Sequence, residues 1–249
     1  CIRDRYWTAP MEQGSVYADK TDFRLSKAVT GEDIAQLDPE ELQELLDQRK
    51  ISAECYALVE SIDQVAGQLA RLKDADVPVL WRPLHEAGGG WYWWGSDGAD
   101  AYQWLWRLLY DRLTAYHGLN NLLWVWNGQS RDYYVGQAYY DIASIDVYLR
   151  ADAEYGSRYG QFQWLYALTK GEKLLALSEC SRIPDVDAIF RDNAVWSFFG
   201  LWYGDYLVGQ DGTLNGKYIS TDDLIKYYNS DGTPVSYTHL RAHETLSDL

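Results

Sequence analysis

The sequence predicts an α/β fold in which parallel strands alternate with outer helices, as in a (β/α)8 TIM barrel. Short apolar runs recur between segments that have helical periodicity. These runs end in polar or aromatic residues, which is typical of the catalytic face of a barrel. A doubly wound open sheet is the alternative. No apolar run is followed by a glycine-rich phosphate-binding motif, which weakens a nucleotide-binding interpretation.

Five apolar runs are predicted as strands. They cover residues 77–81, 122–126, 142–148, 174–178 and 195–202. The end of a sixth strand is indicated near residues 5–7. Because a closed barrel has eight strands, we expect an incomplete barrel that lacks its first two strands and part of the third.

Helices are predicted where apolar residues recur at intervals of three and four. Residues 53–75 carry such a face, with Val59, Ile62 and Leu69 among its members. Asp38 followed by Pro39 is a favourable helix start, and that helix should extend to about residue 50. Further helices are predicted at residues 100–116, 158–170 and 221–228.

The domain organisation is predicted as a partial catalytic barrel over residues 1–235, followed by a tail over residues 236–249. The tail begins SYTHLRAHET, has no hydrophobic periodicity and resembles a translated cloning adaptor. We therefore expect it to be non-native or disordered.

The composition favours a protein that binds a neutral, polar ligand. There are 12 Trp and 21 Tyr against 5 Phe and 1 Met, and rings with a polar edge can stack on a ligand while bonding to water. A net charge of −15 argues against nucleic acid. No apolar run reaches the length of about 18 residues that indicates a membrane span. The three cysteines form no spaced framework, which leaves the redox compartment open, and no CxxC or HExxH metal signature is present. We expect no cofactor and no metal, and we expect a monomer.

The stretch Trp81–Gly95, WRPLHEAGGGWYWWG, is the most informative about chemistry. An apolar strand leads into Arg82, His85 and Glu86, and glycines and aromatic residues follow. A carboxylic acid at the end of a strand can protonate a glycosidic oxygen, while flat rings stack on sugars. An aromatic core loop is the alternative, but packing alone does not account for the three charged or polar residues together.

Glu179 is the second candidate carboxylate. It ends the apolar run KLLALSE, which predicts a position at the end of another strand. If the carboxyl groups of Glu86 and Glu179 lie about 5 to 5.5 Å apart, hydrolysis would retain the anomeric configuration by double displacement. Cys180 alternates to the other face of that strand and is interpreted as an inert thiol, and His117 is interpreted as structural.

These motifs together resemble glycoside hydrolase family 26, which consists chiefly of endo-β-1,4-mannanases. Besides WRPLHEAGGGWYWWG, the motifs are YWTAP, NNLLWVWN, SIDVY, LSECS and FFGLWYGDY, and the resemblance covers about residues 6–206. It implies a (β/α)8 barrel with the acid/base on the fourth strand and the nucleophile on the seventh. By position, Glu86 would be the general acid/base and Glu179 the nucleophile.

The resemblance also implies roles for polar residues around these carboxylates. His85 stands where most related families have Asn, and it would bond near the nucleophile or to the sugar. Tyr148 would hydrogen-bond the nucleophile, with Asp146 nearby. Arg82 would either favour the ionised nucleophile or form a structural ion pair beneath the site.

Three aromatic residues are expected to contact substrate by the same resemblance. Trp91 would stack on a sugar ring, Trp202 would form the floor under the sugar being cleaved, and Trp7 would be a platform at the edge of the cleft. The predicted activity is a retaining endo-β-1,4-mannanase that acts outside the cytoplasm. A lichenase or β-1,3-xylanase of the same family and a non-catalytic carbohydrate-binding protein are the alternatives.

Overall fold

The computed structural model describes residues 7–11, 14–209 and 211–230. The predicted tail 236–249 and residues 5 and 6 lie outside this part of the chain. Its helices are α1 (Leu25–Ala28), α2 (Pro39–Asp47), α3 (Ala53–Asp74), α4 (Ala99–Asp111), α5 (Tyr159–Thr169), α6 (Val186–Arg191), α7 (Gly204–Leu207) and α8 (Thr221–Tyr228). Its strands are β1 (Val79–Trp81), β2 (Leu122–Trp126), β3 (Ile142–Val147), β4 (Leu174–Cys180) and β5 (Phe199–Leu201).

The chain divides into two compact units. Residues up to Ser144, together with Glu172–Leu174, form the first unit, and Ile145–Gly171 with the residues from Leu175 onward form the second. Among the described residues, no helix has the length and apolar character needed to cross a membrane.

In the first unit, β1, β2 and the first residues of β3 pair in parallel. Val79 lies opposite Leu122, and Val125 lies opposite Ile142. Helix α4 lies in the chain between β1 and β2 and provides the crossover that parallel strands require. The carboxyl ends of β1 and β2 therefore lie at the same edge of this part of the sheet.

In the second unit, the last residues of β3 are followed in the sheet by β4 and β5. Leu177 lies opposite Phe199 in a parallel pairing of β4 with β5. Helices α5 and α6 are the crossovers from β3 to β4 and from β4 to β5. The side chains that follow these strands therefore also collect at one edge.

Four of the five strands begin and end within two residues of the predicted positions, but the last strand is shorter. The apolar run 195–202 predicts a strand along its whole length, whereas regular pairing covers only Phe199–Leu201. The Ser197 N–H already donates to the Leu175 carbonyl at 2.8 Å, so the chain follows β4 before the regular strand begins. The pairing is irregular in register, which a hydrophobic pattern does not indicate. Trp7, predicted at the end of a sixth strand, is in no strand.

The predicted helices are present with small differences at their ends. Asp38 caps α2 by accepting from the backbone of Glu40 and Glu41, as its sequence predicts, but the helix ends at Asp47 rather than near residue 50. The helix predicted at residues 100–116 consists of α4 and a π-helical turn at Arg112–Tyr116.

The side chain of Arg112 connects three segments of the first unit. Its fully buried guanidinium group donates to both carboxylate oxygens of Asp63, at 2.5 and 2.7 Å. It also donates to the Leu37 carbonyl at 3.0 Å and lies 4.2 Å from the centroid of the Tyr116 ring. His117 Nε2 lies 2.7 Å from the same Asp63 carboxylate, which agrees with a structural role. These contacts replace the hydrogen bonds to water that the Arg112 charge loses on burial.

Replacing Arg112 with Met should lower the free energy of unfolding by about 3 kcal/mol or more, because Asp63 loses its buried partner. Urea denaturation measures this change. The control is Arg150→Met, because the Arg150 and Asp152 side chains of that ion pair are 85% and 69% exposed. The control should leave the unfolding midpoint nearly unchanged. Equal midpoints for the two variants would contradict the structural importance of Arg112.

Candidate active site

The segment after β1 reverses direction through an unusual backbone conformation. Leu84 and Glu86 both have a φ of 53°, in the left-handed region that residues other than glycine rarely adopt. Such residues cost about 1 kcal/mol or more each, so the surrounding contacts must stabilise them. A short 3-10 turn, Ala87–Gly89, follows Glu86. The sequence motif therefore forms a strained turn at the carboxyl end of β1.

Hydrogen bonds from the end of β2 hold this turn. The Glu86 N–H donates to the backbone carbonyl of Asn127 at 2.8 Å and to its side-chain Oδ1 at 3.1 Å. The Gly88 N–H donates to the Gly128 carbonyl at 2.9 Å. The Trp94 indole N–H donates to the His85 carbonyl at 2.8 Å. The backbone of His85 and Glu86 is thus fixed from two directions.

Two glycines in the motif are required by close approach of the backbone. A Cβ on Gly95 would lie 2.2 Å from the Ala87 carbonyl oxygen, which no side chain can tolerate. A Cβ on Gly88 would lie 2.9 Å from the Gly128 carbonyl oxygen. The glycine-rich spacing is therefore a packing requirement of the turn that carries Glu86.

His85 lies among aromatic rings. Its imidazole centroid is 4.9 Å from that of Tyr92 and 5.6 Å from that of Trp94. Burial, and secondarily the positive charge of Arg82, lowers the pKa of His85 to about 3. The imidazole is therefore neutral near pH 7, so it can both donate and accept a hydrogen bond.

Trp91 and Trp7, both predicted to contact substrate, have different environments. Trp91 is 47% exposed, and its ring lies over Gly89, where a Cβ would collide with it. Trp7 packs edge-to-face against Trp93 at 5.2 Å between centroids, and its indole N–H donates to Ser61 Oγ at 2.6 Å. The Trp7 carbonyl accepts from the Trp93 indole at 2.7 Å. Trp91 therefore offers an open ring, whereas the polar edge of Trp7 is engaged within the protein.

In the second unit, β4 carries Glu179, whose side chain is buried. The Tyr148 hydroxyl donates a short hydrogen bond to Glu179 Oε2. Asp146, on β3, is also buried and accepts from Ser178 Oγ at 2.6 Å. The structure thus joins Tyr148 to Glu179 directly and pairs Asp146 with the residue that precedes Glu179.

Two further residues lie at the ends of β4 and β5, Cys180 as the last residue of β4 and Trp202 directly after β5. Burial raises the pKa of the Cys180 thiol to about 12, so the thiol stays protonated, consistent with an inert cysteine. Its Sγ lies 3.3 Å from the Gly200 carbonyl. Trp202 follows β5, its N–H donates to the Cys180 carbonyl at 3.1 Å, and its ring lies 5.3 Å from that of Tyr203. Trp202 is half-buried.

The sequence does not predict the contacts of Asn127 and Ser178. Asn127 directly follows the apolar run LLWVW and is fully buried, and a buried amide requires hydrogen-bond partners. That requirement was the available signal. Ser178 gave no signal, because a serine within an apolar strand is compatible with many environments.

Comparison with known proteins identifies the family. The model of glycosyl hydrolase family 26 matches residues 30–220. The chain belongs to this family. The matched region contains Glu86 and Glu179 and every other candidate site residue except Trp7.

Curated relatives share the family over most of this chain. The chain is 40% identical over 215 residues to a mannan endo-1,4-beta-mannosidase of Thermothelomyces thermophilus, covering 86% of this chain and 39% of the relative. It is 34% identical over 183 residues to mannan endo-1,4-beta-mannosidase B of a Piromyces species, covering 74% of this chain and 30% of that relative. The chain therefore spans less than half the length of these relatives.

Solved structures of β-mannanases also align with this chain. The Podospora anserina GH26-CBM35 β-(1,4)-mannanase aligns with a TM-score of 0.74 at 35% identity, covering 91% of this chain and 47% of that chain. A β-mannanase from a symbiotic protist of the termite Reticulitermes speratus aligns with a TM-score of 0.69 at 30% identity, covering 92% and 61%. This likeness confirms the predicted α/β barrel class, of which the described residues contain five strands.

The neutral His85 predicts a specific dependence of stability on pH. The unfolded chain binds a proton at this residue below about 6.5, whereas the folded chain does so only near 3. The free energy of unfolding should therefore fall as the pH is lowered from 6.5 towards 3, and less steeply in His85→Gln. Urea denaturation at several pH values measures both slopes. Identical slopes, or a His85 imidazole that titrates near pH 6.5 by NMR, would contradict the lowered pKa.

Proposed function

We propose that the protein is a retaining endo-β-1,4-mannanase that cleaves mannan, glucomannan or galactomannan. The observation that carries this proposal is the hydrogen bond from Tyr148 to Glu179 at the end of β4 in a chain of family 26. The relatives named above as mannan endo-1,4-beta-mannosidases support the substrate class. The termite symbiont's enzyme was solved with a gluco-manno-oligosaccharide, which supports glucomannan among the substrates.

The reaction proceeds in two displacements. A Glu179 carboxylate oxygen attacks the anomeric carbon while Glu86 transfers its proton to the departing glycosidic oxygen. Glu86, now ionised, then takes a proton from water, and that water attacks the anomeric carbon and releases Glu179. Each displacement inverts the anomeric configuration, so the product retains that of the substrate. This mechanism requires the two carboxyl groups to lie about 5 to 5.5 Å apart.

The contacts of Glu179 suit a nucleophile. Tyr148 donates to Oε2, and in this proposal Oε1 forms the bond to the sugar. This hydrogen bond orients the carboxylate for attack on the anomeric carbon. The Ser178–Asp146 hydrogen bond fixes β4 to β3 immediately before Glu179 and so limits its movement.

The remaining candidate residues bind the sugar chain in this proposal. The neutral imidazole of His85 bonds a sugar hydroxyl, and the positive charge of Arg82 favours a neutral imidazole. Trp91 stacks on one sugar ring, Trp202 lies under the sugar being cleaved, and Trp7 contributes to the edge of the cleft through its partly exposed face.

The substrate polymers are too large to enter a cell, so we propose that the protein acts as an extracellular or periplasmic monomer. A lichenase or β-1,3-xylanase of the same family would use the same two carboxylates on another polymer. A non-catalytic carbohydrate-binding protein would keep the rings of Trp91 and Trp202 and would bind mannan without turnover.

A panel of polymers separates these functions. Incubation with mannan, lichenan and β-1,3-xylan should release oligosaccharides from mannan, and NMR of the first products should show the β configuration. Release from lichenan or β-1,3-xylan alone would assign the protein to those activities. Binding of mannan by the wild-type protein without any release would support the non-catalytic alternative.

Variants of the two glutamates test their roles. Glu179→Ala should abolish hydrolysis of every substrate. Glu86→Ala should lower mannan hydrolysis by about 10² to 10⁴-fold, because general acid catalysis supplies a factor of that size. It should still release dinitrophenol from dinitrophenyl β-mannobioside, whose leaving group needs no proton.

The matched control is Glu172→Ala. Glu172 is exposed and directly precedes Lys173, at the opposite end of β4 from Glu179. This variant should keep the wild-type rate on both substrates. Equal losses on mannan and on the activated substrate in Glu86→Ala would exclude Glu86 as the general acid.

A further inference from the structure

The orientation of Glu86 depends on a backbone conformation that the residue does not favour. Its φ of 53° places it in the left-handed region. If φ relaxed to the ordinary right-handed or extended range, the bond from Cα to Cβ would turn away from its present direction and carry the carboxyl group with it. A contact that holds this φ therefore also determines where the carboxyl group lies.

Asn127 supplies that contact twice. Its backbone carbonyl and its Oδ1 accept the same Glu86 N–H, at 2.8 and 3.1 Å. The bond to the Asn127 backbone carbonyl would survive any substitution of Asn127, but that bond by itself does not fix the direction of the Glu86 N–H. The Oδ1 bond adds a second acceptor, so that the two oxygens limit rotation of the peptide unit that precedes the Glu86 Cα.

The side chain of Asn127 is itself fixed. It is fully buried, and its Nδ2 donates to Ser144 Oγ at 3.2 Å. The Ser144 hydroxyl in turn donates to the Trp126 carbonyl at 3.2 Å. This chain of donors assigns Nδ2 to Ser144 and Oδ1 to Glu86. The groups in these bonds are neutral, so they orient the backbone of Glu86 without adding charge near it.

We infer that Asn127 is a positioning residue for Glu86, and that its Oδ1 holds the left-handed backbone from which the acid/base carboxyl group is directed. The inference rests on the proposed function, because it assigns Asn127 to the proton-transfer step. It concerns a residue that directly follows β2, the strand next to β1, and it requires no contact of Asn127 with the sugar.

Asn127→Leu tests the inference, because leucine has a similar size but cannot accept a hydrogen bond. Hydrolysis of mannan, which needs a proton on the leaving oxygen, should fall by about 10²-fold or more. Release of dinitrophenol from dinitrophenyl β-mannobioside should fall by less than about tenfold, because this step needs no general acid. A purely structural defect would lower both rates by the same factor.

Two companion variants complete the design. Asn127→Asp keeps an oxygen at the position of Oδ1 and should restore mannan hydrolysis to within about tenfold of the wild-type rate. Asn121→Leu is the matched control at the other end of β2, where the Asn121 amide donates to the Val77 carbonyl at 2.9 Å. It should change both substrate rates equally, whatever its effect on stability.

Equal losses on the two substrates in Asn127→Leu would overturn the inference, and so would failure of Asn127→Asp to restore hydrolysis of mannan. A crystal structure of Asn127→Leu decides the point independently of activity. A changed Glu86 φ with a displaced carboxyl group supports the inference, and an unchanged Glu86 overturns it. If the wild-type protein hydrolyses none of the polymers, the proposed function fails. The crystal structure of Asn127→Leu would still decide whether Asn127 holds the backbone conformation of Glu86.

Discussion

Parallel pairing of the strands is the constraint on which the candidate site depends. Neighbouring parallel strands point the same way, so each delivers the residues that follow it to the same edge of its sheet. In the first unit this brings Asn127, after β2, against Glu86, after β1. In the second unit it brings Tyr148, after β3, to Glu179 on β4. Each carboxylate is thus supported by the neighbouring strand.

The two carboxylates are supported in different ways, and the difference suits the roles proposed for them. The support from Asn127 acts on the backbone N–H of Glu86. The support of Glu179 acts on the carboxylate itself, through the Tyr148 hydroxyl. A general acid/base must hold its carboxyl group within reach of the glycosidic oxygen. A nucleophile must hold its attacking carboxylate oxygen in line with the anomeric carbon.

Much of this arrangement could be predicted from the sequence, because apolar periodicity and capping residues are local signals. They located four strands and the main helices, and the motifs predicted the family whose model matches the chain. The short β5 could not be predicted, since its irregular register depends on pairing with β4. The left-handed φ of Glu86 could not be predicted either. The Glu86 N–H donates to Asn127, 41 positions away, and hydrophobic patterns contain no information about such contacts.

The central claim is that Glu179 forms a covalent bond to the sugar. A fluorinated mannoside with a good leaving group slows the second displacement more than the first and so accumulates the glycosyl-enzyme. Trypsin would release residues 174–182, in which Glu179 is the only carboxylate side chain. Mass spectrometry should find the sugar on this peptide. A label on the peptide that contains Glu86, or no label in an enzyme that the reagent inactivates, would contradict the account.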